Sequence, residues 1–161
     1  MNYENLFTII FAVVIFVVLL GYLFMKNKRL AKLNRAINAK DYDKIIELCA
    51  DEQYQKIVGA YTCDLYRLKA IVCKGDKDML KKELDAVIEK PYDLDHHKEV
   101  LELYFHYFLN QDETEYTNKL LNDIRKVDDA PFVKYNEWSY EVIKNGRSDL
   151  ADEMDQAIQN K

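Results

Sequence analysis

The chain has few of the residues that interrupt helices. Its 161 residues include 4 Gly and 2 Pro. So few glycines exclude a Gly-rich phosphate-cradling loop. No Asn-Gly pair joins two strand-like runs, because Asn145-Gly146 is flanked by helical patterns. Cysteine is scarce too. Cys49, Cys63 and Cys73 are odd in number, which suits a reducing compartment better than a disulfide framework. Cys63 and Cys73 match no zinc spacing and read as small core residues. H-E-x-x-H and the nucleophile elbow are both missing. His96-His97 with Glu99 and His106 invites a metal reading, but adjacent histidines point to different sides of a helix. Asp93, Asp95 and His96, after Pro91, read instead as a helix N-terminus, and Asp128-Asp129 as helix-end and solvating charges. The expectation is a non-enzyme with no cofactor and no metal.

Charge is missing from one long stretch. Leu6 to Met25 reads LFTIIFAVVIFVVLLGYLFM, without a single charged residue. At 1.5 Å rise per residue this run is roughly 30 Å long, the thickness of a bilayer's hydrocarbon core. Glu4 is the only charge before it, and no A-x-A site follows, so the segment reads as an uncleaved anchor rather than a signal peptide. A buried core helix is the weaker alternative, since it would need a larger protein around every face. Lys26, Lys28, Arg29, Lys32, Arg35 and Lys40 follow within about 15 residues of the run, and no Lys or Arg precedes it. The positive-inside rule then predicts an outside N-terminus over 1–5, a single crossing over 6–25 and a cytoplasmic remainder. Tyr3 and Tyr22 fit the two interfacial aromatic belts.

Six of the 23 Lys and Arg, and one of the 28 Asp and Glu, precede Asp41, leaving 17 basic against 27 acidic residues from there on. The basic stretch 26–40, with Lys26, Lys28, Arg29 and Lys32 nearest the anchor, is expected to contact anionic headgroups. The acidic remainder is expected to be held off them. No basic face exists to neutralise phosphates, which excludes nucleic acid as a partner.

What is abundant is helical periodicity. Apolar residues recur at helical spacing in segments of roughly 12 to 18 residues separated by short polar turns. Four turns look alike: NAKDYDKII at 38–46, CKGDKDMLK at 73–81, LNQDETEYT at 109–117 and KNGRSDLAD at 144–152. With Lys40, Gly75, Gln111 and Gly146 as equivalents, the steps are 35, 36 and 35 residues. A period near 34 with two helices per unit marks a helical-hairpin solenoid.

Over 26–161 the chain resembles the tetratricopeptide repeat family. The residues carrying the resemblance are Leu33, Ala36, Asp41, Tyr42 and Ile45 in the first unit, and Leu68, Ile71, Gly75, Leu80, Leu84 and Val87 in the second. Val100, Leu103, Tyr104, Tyr107, Leu120 and Ile124 stand in the third, and Tyr135, Trp138, Ser139, Val142, Gly146 and Ala151 in the fourth. Pro91 lies near the family's proline. Leu68 and Tyr104 replace the small residue that lets paired helices approach, Tyr116 replaces another, and Arg67 occupies a usually apolar position.

The resemblance implies an all-α fold, an α-solenoid of about four helical hairpins over 41–161, with 26–40 as the basic juxtamembrane stretch and first repeat helix. It also implies a concave groove lined by the first helices, through Asn34, Lys69, Phe105 and Tyr140. Second rows would hold Leu65, Val72, Leu101, Phe108, Asn136 and Lys144. Such a groove suits an extended segment bearing apolar side chains and a carboxylate. In the alternative, Phe105 and Phe108 fill the core, because YFHYF at 104–108 is apolar on all sides. The last helix, 147–160, is expected to cap the stack with Arg147, Asp149, Asp152, Glu153, Asp155 and Gln156 outward.

The function expected is a membrane-anchored adaptor or scaffold that recruits a protein or peptide at the cytoplasmic face. The alternatives are a self-associating homo-oligomer and a non-catalytic subunit of a membrane enzyme complex. The Lys-, Asn-, Tyr- and Ile-rich composition points to an AT-rich bacterial genome.

Overall fold

The computed structural model describes residues 3–146, without the side chains of residues 3–6 and of Asn145. The capping helix expected over 147–160 lies outside the described residues, as does the Tyr3 side chain. Among the described residues there are eight α-helices and no strand: α1 (Tyr3–Asn38), α2 (Tyr42–Ala50), α3 (Glu52–Val58), α4 (Ala60–Lys74), α5 (Lys77–Ile88), α6 (Leu94–Asn110), α7 (Thr114–Ile124) and α8 (Ala130–Asn145).

α1 runs for 36 residues without a break. Neither Gly nor Pro separates the apolar run from the basic stretch, so nothing ends the helix between them. Every side chain from Phe7 to Met25 is exposed. α1 is therefore long and apolar enough to cross a membrane, and its stretch from Phe7 to Met25 is no part of the core of the described fold. Monomeric soluble proteins rarely expose a contiguous apolar patch beyond a few hundred Å².

Aspartate starts most of the remaining helices. The side chains of Asp41, Asp51, Asp93 and Asp129 accept from the backbone N–H groups of Lys44, Tyr54, His96 and Phe132 at 2.7–3.1 Å. Asp76 accepts from the Met79 N–H at 2.9 Å. Each satisfies one orphan donor of a first turn. The readings of Asp93 and Asp129 as helix-end residues therefore hold. Asp129 is held below the usual carboxylate range, first by the Lys98 ammonium at 2.9 Å and then by the Phe132 N–H. A carboxyl depressed on folding stabilises the fold fully above its unfolded value of about 3.9, and that contribution is lost as pH falls through the lower folded value. Asp129→Asn is accordingly expected to lower stability at neutral pH and to flatten the loss of stability below about pH 4. Urea titrations at pH 3 and pH 7 measure this.

Left-handed residues mark the turns. Lys40 (φ 53°), Gly75 (φ 75°), Asp112 (φ 57°) and Gly146 (φ 62°) follow α1, α4, α6 and α8. Three of the four are the equivalents read from the sequence. The third lies one residue later, at Asp112 rather than Gln111. A Cβ at Gly75 would meet no atom within 4 Å, so only backbone strain opposes a side chain there. Gly75→Ala is expected to cost about 1–2 kcal/mol, and Lys40→Gly to gain up to about 1 kcal/mol. Thermal melts of the two variants check both signs.

The chain divides into two compact units, residues 1–84 and 85–161, with the division inside α5. In the first, α1 and α2 form a hairpin, α4 packs on α2, and α3 packs on α1, α2 and α4. Its core holds Leu33 and Ala36 of α1, Ile45, Leu48 and Cys49 of α2, Tyr54 and Val58 of α3, and Cys63 and Ala70 of α4. The helix that carries the apolar run thus also supplies part of a folded core. In the second unit α6 and α7 form a hairpin and α8 packs on both. Phe105, Phe108, Leu109, Leu120 and Ile124 fill it, and the Phe108 and Tyr116 rings meet edge to face at 4.7 Å.

Candidate functional surface

The four residues proposed to line a groove have different fates. Asn34 on α1 and Lys69 on α4 are exposed, and Tyr140 on α8 is half-buried. Phe105 has no accessible surface, so the core reading applies and it is no groove residue. The reason is local: α6 carries bulky apolar groups on every side at 104–108, and α7 and α8 both pack on it. Of the second rows, Leu101, Phe108 and Asn136 are buried too. Asn136 Nδ2 donates to the Phe132 carbonyl at 2.9 Å. Lys144 pairs with Asp112 in the turn between α6 and α7. Leu65 and Val72 are half-buried.

In the first unit, α3 was not anticipated. Its signal was present: Asp51 as a cap ahead of EQYQKIV, and Gly59 (φ 113°) behind it. Tyr54 of this helix donates its hydroxyl to the Arg29 carbonyl, and the Arg29 guanidinium lies 5.5 Å from the Tyr54 ring centroid. Gln55 Nε2 donates to the Cys49 carbonyl at 2.7 Å. α3 is therefore clamped to α1 just past the apolar run. Burial pushes the Tyr54 phenol up from its ordinary value.

Arg67, out of place for the family, has a local cause. It reaches Asp64, which is fully buried, at 3.9 Å, and pairs closely with Glu83 of α5. The cysteines also differ from expectation. Cys49 and Cys63 are buried, but Cys73 is exposed near the end of α4 and is no core residue. The Cys49 thiol is raised by its hydrogen bond with Cys63 and then by burial, which makes it a poor nucleophile at neutral pH.

In the second unit, large apolar side chains lie open. Leu103 on α6 is 55% exposed; on α8, Tyr135 is 52% and Val142 51% exposed. Tyr135, Trp138 and Val142 are spaced i, i+3, i+7 and share one helical stripe. The Lys134 ammonium sits 4.6 Å from the Trp138 ring centroid. Beside them lies an open cleft of about 610 Å³, lined by Val127, Val133, Lys134, Glu137 and Trp138 among others. Arg125 crosses it to Glu137 at 2.7 Å. Beyond α1, every large apolar residue that is mostly exposed lies between Leu94 and Ile143, among the described residues. Tyr135, Trp138 and Val142 stand at repeat-signature positions by spacing, and spacing does not report their exposure.

Comparison with protein-family models, with curated proteins and with solved structures returned no match. The likeness to tetratricopeptide repeats therefore rests on this chain's own residues.

Proposed function

We infer that the chain is a membrane-anchored interaction module: α1 crosses the bilayer once, and the helical hairpins behind it hold a protein or peptide partner at the cytoplasmic face. The observation that carries this reading is the distribution of exposed apolar surface. Among the described residues it falls mainly in two places, the charge-free part of α1, which suits lipid, and α6 and α8, which suit a partner. A stripe at i, i+3, i+7 matches how one helix is read by another, with aromatic anchors and a cation beside them. Hairpin packing and left-handed turns recurring at residues 40, 75, 112 and 146 favour a repeat of the tetratricopeptide kind. α3 interrupts that pattern. Nothing in the residues calls for catalysis, a cofactor or nucleic acid.

The test is photo-crosslinking in cells of the full chain, with the reactive residue at 135 or 142 and, for the groove reading, at 69 or 140. Position 86, exposed on α5, serves as control. One defined protein captured from 135 and 142 but not from 86 supports recruitment through α8. Capture from 69 and 140 instead moves the contact to the repeat groove. Capture of only a second copy of the chain replaces the adaptor with a self-assembling membrane protein.

A further inference from the structure

We propose that α3 lies in the lipid headgroup layer and that Lys56, with Lys26, Lys28, Arg29 and Lys32, forms a surface for anionic phospholipid headgroups. The proposal rests on α1 crossing a bilayer, and it assigns a membrane-facing end to the first unit. The argument is one of length. Arg29 lies four residues past Met25, so its level is about 6 Å beyond the apolar run along the α1 axis. Each headgroup layer is roughly 5–8 Å thick, and an ordinary tilt of about 20° shortens the projection only slightly. Tyr54 donates to the Arg29 carbonyl and stacks under its guanidinium, which fixes α3 at that level.

The other helices agree. α1 rises from Met25 to Asn38, about 20 Å, and α2 then returns over 9 residues, about 13 Å, to about the level of Arg29 along the α1 axis. α4 leaves again over 15 residues and ends where Lys74 pairs with Asp43 and the Cys73 thiol meets the Tyr42 hydroxyl. The unit thus has a near end, α3 and the start of α4, and a far end about 20 Å from the apolar run, at Cys73.

Charge fits the position. α3 buries Tyr54 and Val58 and exposes Glu52, Gln53 and Lys56. Near the end of the apolar run stand Lys26, Lys28, Arg29 and Lys56, with Lys32 a turn further out, against the acids Asp51 and Glu52; Asp51 is engaged as the α3 cap, and Glu47, about level with Lys32, pairs with Lys44. The net positive sign there is the opposite of that of the chain as a whole.

The experiment uses the full chain in lipid nanodiscs, with a fluorophore either on Gln53→Cys in a Cys73→Ser background or on native Cys73, both exposed sites. A headgroup spin-labelled lipid is the quencher. Strong quenching at 53 with little at 73 is the expected result. Equal quenching at the two sites, or none at 53 in a chain that has entered the disc, overturns the placement of α3. A chain that fails to enter discs overturns the anchor itself, and so this proposal with it. For lipid class, acceptor-labelled anionic and zwitterionic lipids are compared by energy transfer from position 53. Lys28→Gln with Lys56→Gln is expected to reduce the anionic preference, by up to about fivefold for each cation lost. An unchanged ratio leaves α3 at the surface and removes the preference for anionic lipid.

Discussion

Phe105→Ala is expected to destabilise the second unit by about 3–5 kcal/mol, the cost of emptying a fully buried aromatic site. Phe105 and Phe108 have no exposed surface, and α7 and α8 close over α6. A large-to-small change here removes apolar contacts and leaves a cavity that two packed helices can only partly close. The chain has one tryptophan, Trp138, on α8 of the same unit, so its fluorescence reports this unfolding directly. Tyr140→Ala is the contrast. Tyr140 is only half-buried, and its loss is expected to cost about 1 kcal/mol or less. A groove role for Phe105 predicts the reverse, with binding lost and stability kept.

Arg67→Met carries the second large effect, about 3–5 kcal/mol in the first unit. Asp64 is fully buried, and the Arg67 side chain is 14% exposed between it and Glu83. Removing the guanidinium leaves a carboxylate away from water without its cation, which costs far more than the pair itself contributes. The double change Asp64→Leu with Arg67→Met is expected to recover most of the loss, because apolar groups of similar volume often replace a buried pair at little cost. Hydrogen exchange of the α4 amides separates the cases. Arg67→Met alone should speed exchange there, and the double variant should restore protection. Equal exchange in all three would mean that the ion pair is incidental.

The parts of this fold that were legible from sequence share a physical origin. α1 was legible because a run without charge has few alternatives, and because no breaker stands between Met25 and Asn38. Gly75 and Gly146 were legible as turns because glycine adopts positive φ at little cost. Asp112 was placed one residue early because Gln111 and Asp112 are both polar, and only the backbone distinguishes which of them turns left-handed. α3 was missed because 7 residues are too short for a periodic signal, though its cap and its glycine were both in view. Phe105 was misplaced because YFHYF has no polar residue to mark an outer face apart from His106. Cys73 was misplaced because a small apolar residue near a helix end reads the same whether covered or open. The repeat signature of α8 described spacing correctly and said nothing about whether Tyr135 and Val142 are covered.

The central claim is that one helix both crosses the membrane and builds the core of a cytoplasmic domain. Cys73, exposed while Cys49 and Cys63 are buried, is a native reporter of it. The most direct measurement is labelling with a membrane-impermeant thiol reagent, on intact cells and then after selective permeabilisation. The account predicts no labelling of intact cells, modification of Cys73 alone once the membrane is opened, and reaction of Cys49 and Cys63 only on unfolding. Labelling of Cys73 in intact cells would contradict it and place the helical hairpins outside.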